Sequence, residues 1–134
     1  MAQRDLHNNI DERVAIDLAA ITADGTTVGN IIDTAGFESI EFIAQLGAVT
    51  DGTYTPLLEV GDDPALADAA AVSGEELLGS LVGMTASNQT TRIGYAGSKR
   101  YARLSLVATG VTSGVASAGA IAVLGHPHHA PVAQ

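Results

Sequence analysis

The sequence has no cysteine and no tryptophan, only two phenylalanines and three tyrosines in 134 residues, and six Lys and Arg against fifteen Asp and Glu. Without cysteine there is no disulfide, no thiolate metal site, no cysteine nucleophile and no thiol redox chemistry. With so few aromatics the core must be assembled from Ala, Val, Leu and Ile, and a surface that stacks on sugar rings is poorly supplied. A formal charge of -9 and a pI near 4.5 repel phosphate backbones and anionic lipid, so neither nucleic acid nor a membrane is expected as a partner. No stretch approaches the ~18 uninterrupted apolar residues of a membrane span. The opening residues lack the apolar run of a signal peptide, which leads us to expect a soluble protein made in a cytoplasm.

What is present points to strands. Fifteen glycines and many Ala, Ser and Thr favour turns and close strand packing over long helices. Period-two alternation begins at Val14, with Val14, Ile16, Leu18 and Ala20 expected on one inward face. Ile40, Phe42, Ala44 and Leu46 alternate with Ser39, Glu41, Ile43 and Gln45, and Asp51-Gly52 then predicts a hairpin to a return strand over residues 54–60. Pro56 cannot donate to a ladder, which places that return strand at an edge or turns Pro56 out of the sheet. Residues 64–83 carry capping signals at Asp63-Pro64 and Ser73 to Glu76, and one or two helical turns are expected there. Ala102, Leu104, Leu106 and Ala108 should face inward, with Tyr101, Arg103 and Ser105 outward. The last strand, over residues 116–124, is so rich in small residues that another backbone or sheet must approach it closely.

Together these signals predict an all-β, antiparallel sandwich of jelly-roll or immunoglobulin-like kind. Residues 13–124 form its body, with an extended N-terminal arm over 1–12 and a C-terminal arm over 125–134.

Candidate chemistry is sparse. His126, His128 and His129 could hold a divalent metal if His7 or a carboxylate joined them, but a histidine cluster flanked by prolines reads more simply as a solvated or partner-bound tail. Asp62-Asp63 with Glu59 could offer oxygens to calcium, yet the segment lacks an EF-hand pattern and works equally as a turn and a helix cap. No Gly-x-Ser-x-Gly elbow and no phosphate-cradling loop is present. We therefore expect no enzyme activity, no catalytic residue and no cofactor. Arg92, Lys99, Arg100 and Arg103 gather four of the six basic residues into one short span. They read either as a solvated strand face balanced by neighbouring acids or as a docking patch for an acidic partner.

Four segments, Asp5-Leu6-His7-Asn8-Asn9, Asp51-Gly52-Thr53-Tyr54, Lys99-Arg100-Tyr101-Ala102-Arg103-Leu104 and Leu124-Gly125-His126-Pro127-His128, resemble in order and spacing a family of small proteins encoded beside the major capsid gene in tailed bacteriophages and prophages. The Ala-rich stretch over 64–72 departs from the pattern. The resemblance implies a virion component: a capsid decoration or cement protein at the capsid surface, made in the bacterial host cytoplasm. It would bind the major capsid protein and form a homo-oligomer or meet lattice neighbours. Partner contacts are then expected at Asp5, Leu6, His7, Asn8 and Asn9, at Arg92, Lys99, Arg100 and Arg103, and at His126, His128 and His129. The alternatives are a carbohydrate-binding module on the virion surface and a head-tail or tail component.

Overall fold

A computed structural model describes residues 4–132, and these form an antiparallel two-sheet sandwich. The front sheet has the order β1 (Ile10–Ile21), β10 (Val115–Pro127), β4 (Phe37–Leu46), β8 (Thr90–Tyr95) and β7 (Leu77–Leu78). The back sheet runs β2 (Gly25–Thr27), β9 (Tyr101–Thr109), β5 (Thr53–Gly61) and β6 (Ala70–Ala71), with β3 (Ile32–Asp33) also on β9. The predicted all-β sandwich is what the chain adopts.

The core lies between the sheets. Ile40, Phe42, Ala44 and Leu46 of β4 and Ala118, Ala120, Ala122 and Leu124 of β10 are buried against Tyr54, Leu58, Leu104 and Leu106 of the back sheet. Three alanines in a row on β10 are what lets the two sheets close on each other, as the small-residue composition of that strand requires. β9 buries Ala102, Leu104, Leu106 and Ala108 as its alternation predicts, but Ser105 is buried as well. Its hydroxyl accepts the Gly29 N–H at 3.3 Å where the segment over 28–31 closes one side of the sandwich.

Several local expectations are corrected. The β4–β5 hairpin does not exist, because β4 pairs with β10 and β8 while β5 pairs with β9. The connection over 47–52 carries the chain from one sheet to the other, and alternation alone cannot tell a partner in the same sheet from one across the core. Nor does β1 keep a single face. Its register against β10 shifts between Val14 and Ile16, between Ile16 and Ala19 and between Ala19 and Ile21, so Ala15 and Ile16 turn inward while Val14 and Leu18 point to solvent. Residues 64–83 form turns and the two short strands β6 and β7 instead of helix. The Asp63 carboxylate caps the Ala65 and Ala67 N–H groups, but no helix follows. The helical turn described in the chain is a 3-10 turn at His7–Asn9.

Pro56 is buried, not turned out, and β5 is open beside it. The outer side of β5 is met at Tyr54 by Met84 and at Leu58 by the Val72 N–H, so the missing donor of Pro56 falls in the gap between these contacts.

The termini also differ from free arms. β1 pairs from Ile10 and β10 continues through Pro127, so part of each expected arm belongs to the front sheet. Residues 1–3 and 133–134 of those arms lie outside the described residues.

Candidate interaction surfaces

The sequence singles out two termini and a basic group, and the fold sorts them. Asp5 closes the N-terminal 3-10 turn, its carboxylate accepting the Asn8 N–H at 3.1 Å and the Asn8 side-chain amide at 2.8 Å. The Val132 N–H donates to the Asn8 carbonyl at 2.9 Å, and the His128 N–H donates to the Gly36 carbonyl at 2.8 Å. The N-terminal 3-10 turn and the C-terminal segment are thereby held at one end of the front sheet, joined through Asn8 and Val132. His126 bonds to the Ser39 hydroxyl through Nδ1 at 2.7 Å, and His128 pairs with Glu38. Leu6, Asn9, Ile10, Ser39, His126 and Pro127 line a cleft of about 360 Å³ there. A second cleft, of about 270 Å³, shares Ser39 with it and reaches Lys99. His129 follows in the same C-terminal segment, exposed.

The basic group does not form one patch. Lys99 pairs with Asp62 at 2.8 Å, Arg100 grips both carboxylate oxygens of Asp33 at 2.8 and 2.9 Å, and Arg103 pairs with Glu59 directly across the β5–β9 ladder at 3.0 Å. Three of the four cations are therefore balanced within the chain, the bland alternative raised by the sequence. Arg92 stands apart on β8 of the front sheet and makes no ion pair among the described residues.

The Arg100 guanidinium beside Asp33, with the Ala35 N–H, holds the Asp33 carboxyl down to about 2 from an ordinary 3.8. A depressed carboxylate contributes stability above its unfolded value that is lost as pH falls through the folded one. Stability from this pair should thus be whole above about pH 5, fall as the pH drops towards 2 and be gone below it. Both side chains are substantially exposed, so solvent screening keeps the contribution small. Asp33→Asn should be slightly less stable than the parent at neutral pH, with the difference shrinking to nothing at the acid end. Urea unfolding across this range measures it, and a constant difference at all pH values would contradict the assignment.

Asp51, at the opposite end of β4, accepts the N–H groups of Thr112, Ser113 and Gly114, which depresses its carboxyl too. It latches the β9–β10 turn, where Gly114 has φ +87. Asp62, Asp63 and Asp68 form a similar self-satisfied turn, the Asp68 carboxylate accepting the Asp62 and Asp63 N–H groups. Among the described residues no three His, Asp or Glu side chains converge on a common point that could hold a metal.

One surface was missed altogether. Val14, Leu18, Ile43 and Ile121 all project from the outer face of the front sheet, with Val123 beside them, around an open groove of about 490 Å³. Ile43 was the available signal, an apolar residue in the polar phase of β4. The exposure of Val14 and Leu18 could not be seen, because it depends on the bulges in β1.

The fold and these surfaces define a small two-sheet β-sandwich whose exposed features are shallow clefts and an apolar sheet face. No protein family matches the sequence, and no curated protein does. Among solved structures, the chain is similar to the SPBc2 prophage-derived protein YomS, with a TM-score of 0.48 and 9% identity over 87% of this chain and 92% of that one. It is also similar to a chain in the structure of infectious bursal disease virus Gx strain, with a TM-score of 0.47 and 13% identity over 91% of this chain and 33% of that one.

Proposed function

We propose that this chain is a non-enzymatic structural component of a bacteriophage particle, a decoration or cement protein that docks on the major capsid protein through the end where Asn8 meets Val132. The observation that carries this reading is a convergence. Of the four segments that resemble the capsid-adjacent family, Asp5 to Asn9, Lys99 to Leu104 and Leu124 to His128 all reach the same end of the sandwich. The fourth, Asp51 to Tyr54, lies at the far end of β4 and serves the turn latch. The shared end offers exposed Leu6 and shallow clefts to a protein surface, and its histidines are held in place by Ser39 and Glu38. A capsid lattice presents many adjacent sites, so a modest contact at each copy sums to firm attachment.

Purified protein incubated with expanded empty shells of its own virus should co-sediment to saturation. A chain ending at Pro127 loses the His128 and Val132 hydrogen bonds, which together contribute roughly 1–3 kcal/mol, and it keeps the β10 ladder. That truncated chain should remain folded and fail to co-sediment. Folded full-length protein that never binds the shells would overturn the reading.

A further inference from the structure

We propose that the outer face of the front sheet is a self-complementary surface that pairs with the same face of a second copy about a two-fold axis running along the strands between β10 and β4. Strand register sets out the face in rows. One row reads Val14, Ile121, Ile43, Arg92 from β1 to β8, and the next reads Glu12, Val123, Glu41 in the same direction. Leu18 leans over Gly119 of β10 and extends the apolar area, since a side chain at Gly119 would meet Leu18 Cδ1 at 3.2 Å.

Size is the first argument. Val14, Leu18, Ile43 and Ile121 are 55, 76, 42 and 50% exposed. Together they present about 400 Å² of apolar surface, already as much as the largest patch on a typical monomer. With Val123, Gln45 and the stems of Glu41 and Arg92, the face approaches the ~800 Å² that each partner of a standard interface covers. Two sheet faces can meet at the ~10 Å spacing of stacked sheets.

Charge placement selects the partner. The face is acidic at its β1 side, through Glu12, and basic at its β8 side, through Arg92, which has no ion-pair partner of its own among the described residues. The proposed axis lays β1 of each copy over β8 of the other. Ile121 then faces Ile43 of the second copy, and Arg92 comes over Val14 of the second copy within reach of Glu12 one row away. A uniformly basic partner would be repelled at Arg92 and a uniformly acidic one at Glu12 and Glu41. A second copy offers the opposite sign at both sides. Glu41, whose carboxyl burial pushes up, is already partly withdrawn from water and faces Val123 across the axis. The pairing does not depend on a role in virus particles.

The test is analytical ultracentrifugation of the full chain over a micromolar concentration series. The parent should show a monomer–dimer equilibrium. Ile121→Asp, and independently the edge variant Leu18→Lys, should weaken it tenfold or more while leaving the far-ultraviolet circular dichroism spectrum unchanged. Arg92→Glu and Glu12→Arg should each weaken the dimer, and the double variant carrying both exchanges should restore it. A parent that stays monomeric, or a dimer indifferent to Ile121→Asp and Leu18→Lys, would overturn the proposal. So would a larger closed ring, or a double variant no better than the single ones.

Discussion

Gly29→Ala is expected to lower stability by about 3 kcal/mol, although it adds a single methyl group. Gly29 lies in the segment over 28–31, which joins β2 to β3 along β9 of the back sheet and packs against the β1 backbone of the front sheet. A Cβ there would stand 1.9 Å from the Leu104 carbonyl oxygen and 2.5 Å from that of Ala15, the first on β9 and the second on β1. Both obstacles are backbone, so no side chain can rotate away. The segment cannot retreat either, because the Gly29 N–H is held by Ser105 and the Asn30 N–H donates to Ala15 at 2.7 Å. The methyl group can be accommodated only by parting the sheets or by surrendering these hydrogen bonds, each worth about 1 kcal/mol. Urea unfolding of the variant gives the value. A loss within about 0.5 kcal/mol, typical of an unremarkable surface change, would mean that this side of the sandwich is looser than described.

Phe42→Ala should cost more, about 3–5 kcal/mol. Phe42 is fully buried on β4, near the centre of the front sheet, with Ala122 and Ile93 in register on either side. The cost of such a truncation depends on how far the neighbours can collapse into the space. Ala122 beside it in register and Ala44 next along its face of β4 have no rotamer with which to fill a void. The cavity should therefore persist and place the loss toward the upper end of the range. Of a total stability of about 5–15 kcal/mol, that is a large share. Thermal unfolding followed by circular dichroism reports it, and a loss under about 2 kcal/mol would show that the alanine-rich core repacks freely.

The same alanine-rich economy explains what could be read in the sequence. The inward face of β9 was legible because Ala102, Leu104, Leu106 and Ala108 alternate and the strand has no bulge, while the burial of Ser105 on the other face, under the segment over 28–31, was not. β10 was legible as a strand under close approach, since only a facing sheet makes use of alanine at 118, 120 and 122. β1 was legible as a strand but not as a surface. Three register shifts against β10 exchange its faces, and a hydrophobic pattern carries no mark of a bulge. The pairing of β4 was likewise invisible, because a turn between sheets and a turn within one call on the same Asp-Gly chemistry. At residues 64–83 one of the two local capping signals was real but incomplete. The Asp63 cap forms, and Leu66 then adopts φ 53, which ends the turn before a helix can propagate.

The candidate site was legible in composition more than in position. The terminal residues named from sequence do gather at one end, tied by Asn8 and Val132. The basic residues do not gather, since Lys99, Arg100 and Arg103 each find an acid within the chain and Arg92 belongs to the other sheet. Spacing along the chain could not reveal this, because the short, largely exposed turn between β8 and β9 carries the chain from one sheet to the other.

A density map of the phage particle proposed to carry this chain tests the account most directly. It should show the sandwich bound to capsid subunits, with the end bearing Leu6 and His126 against the shell. A particle in which the chain is absent, or in which it touches the capsid only through the far end around Asp51, would contradict it.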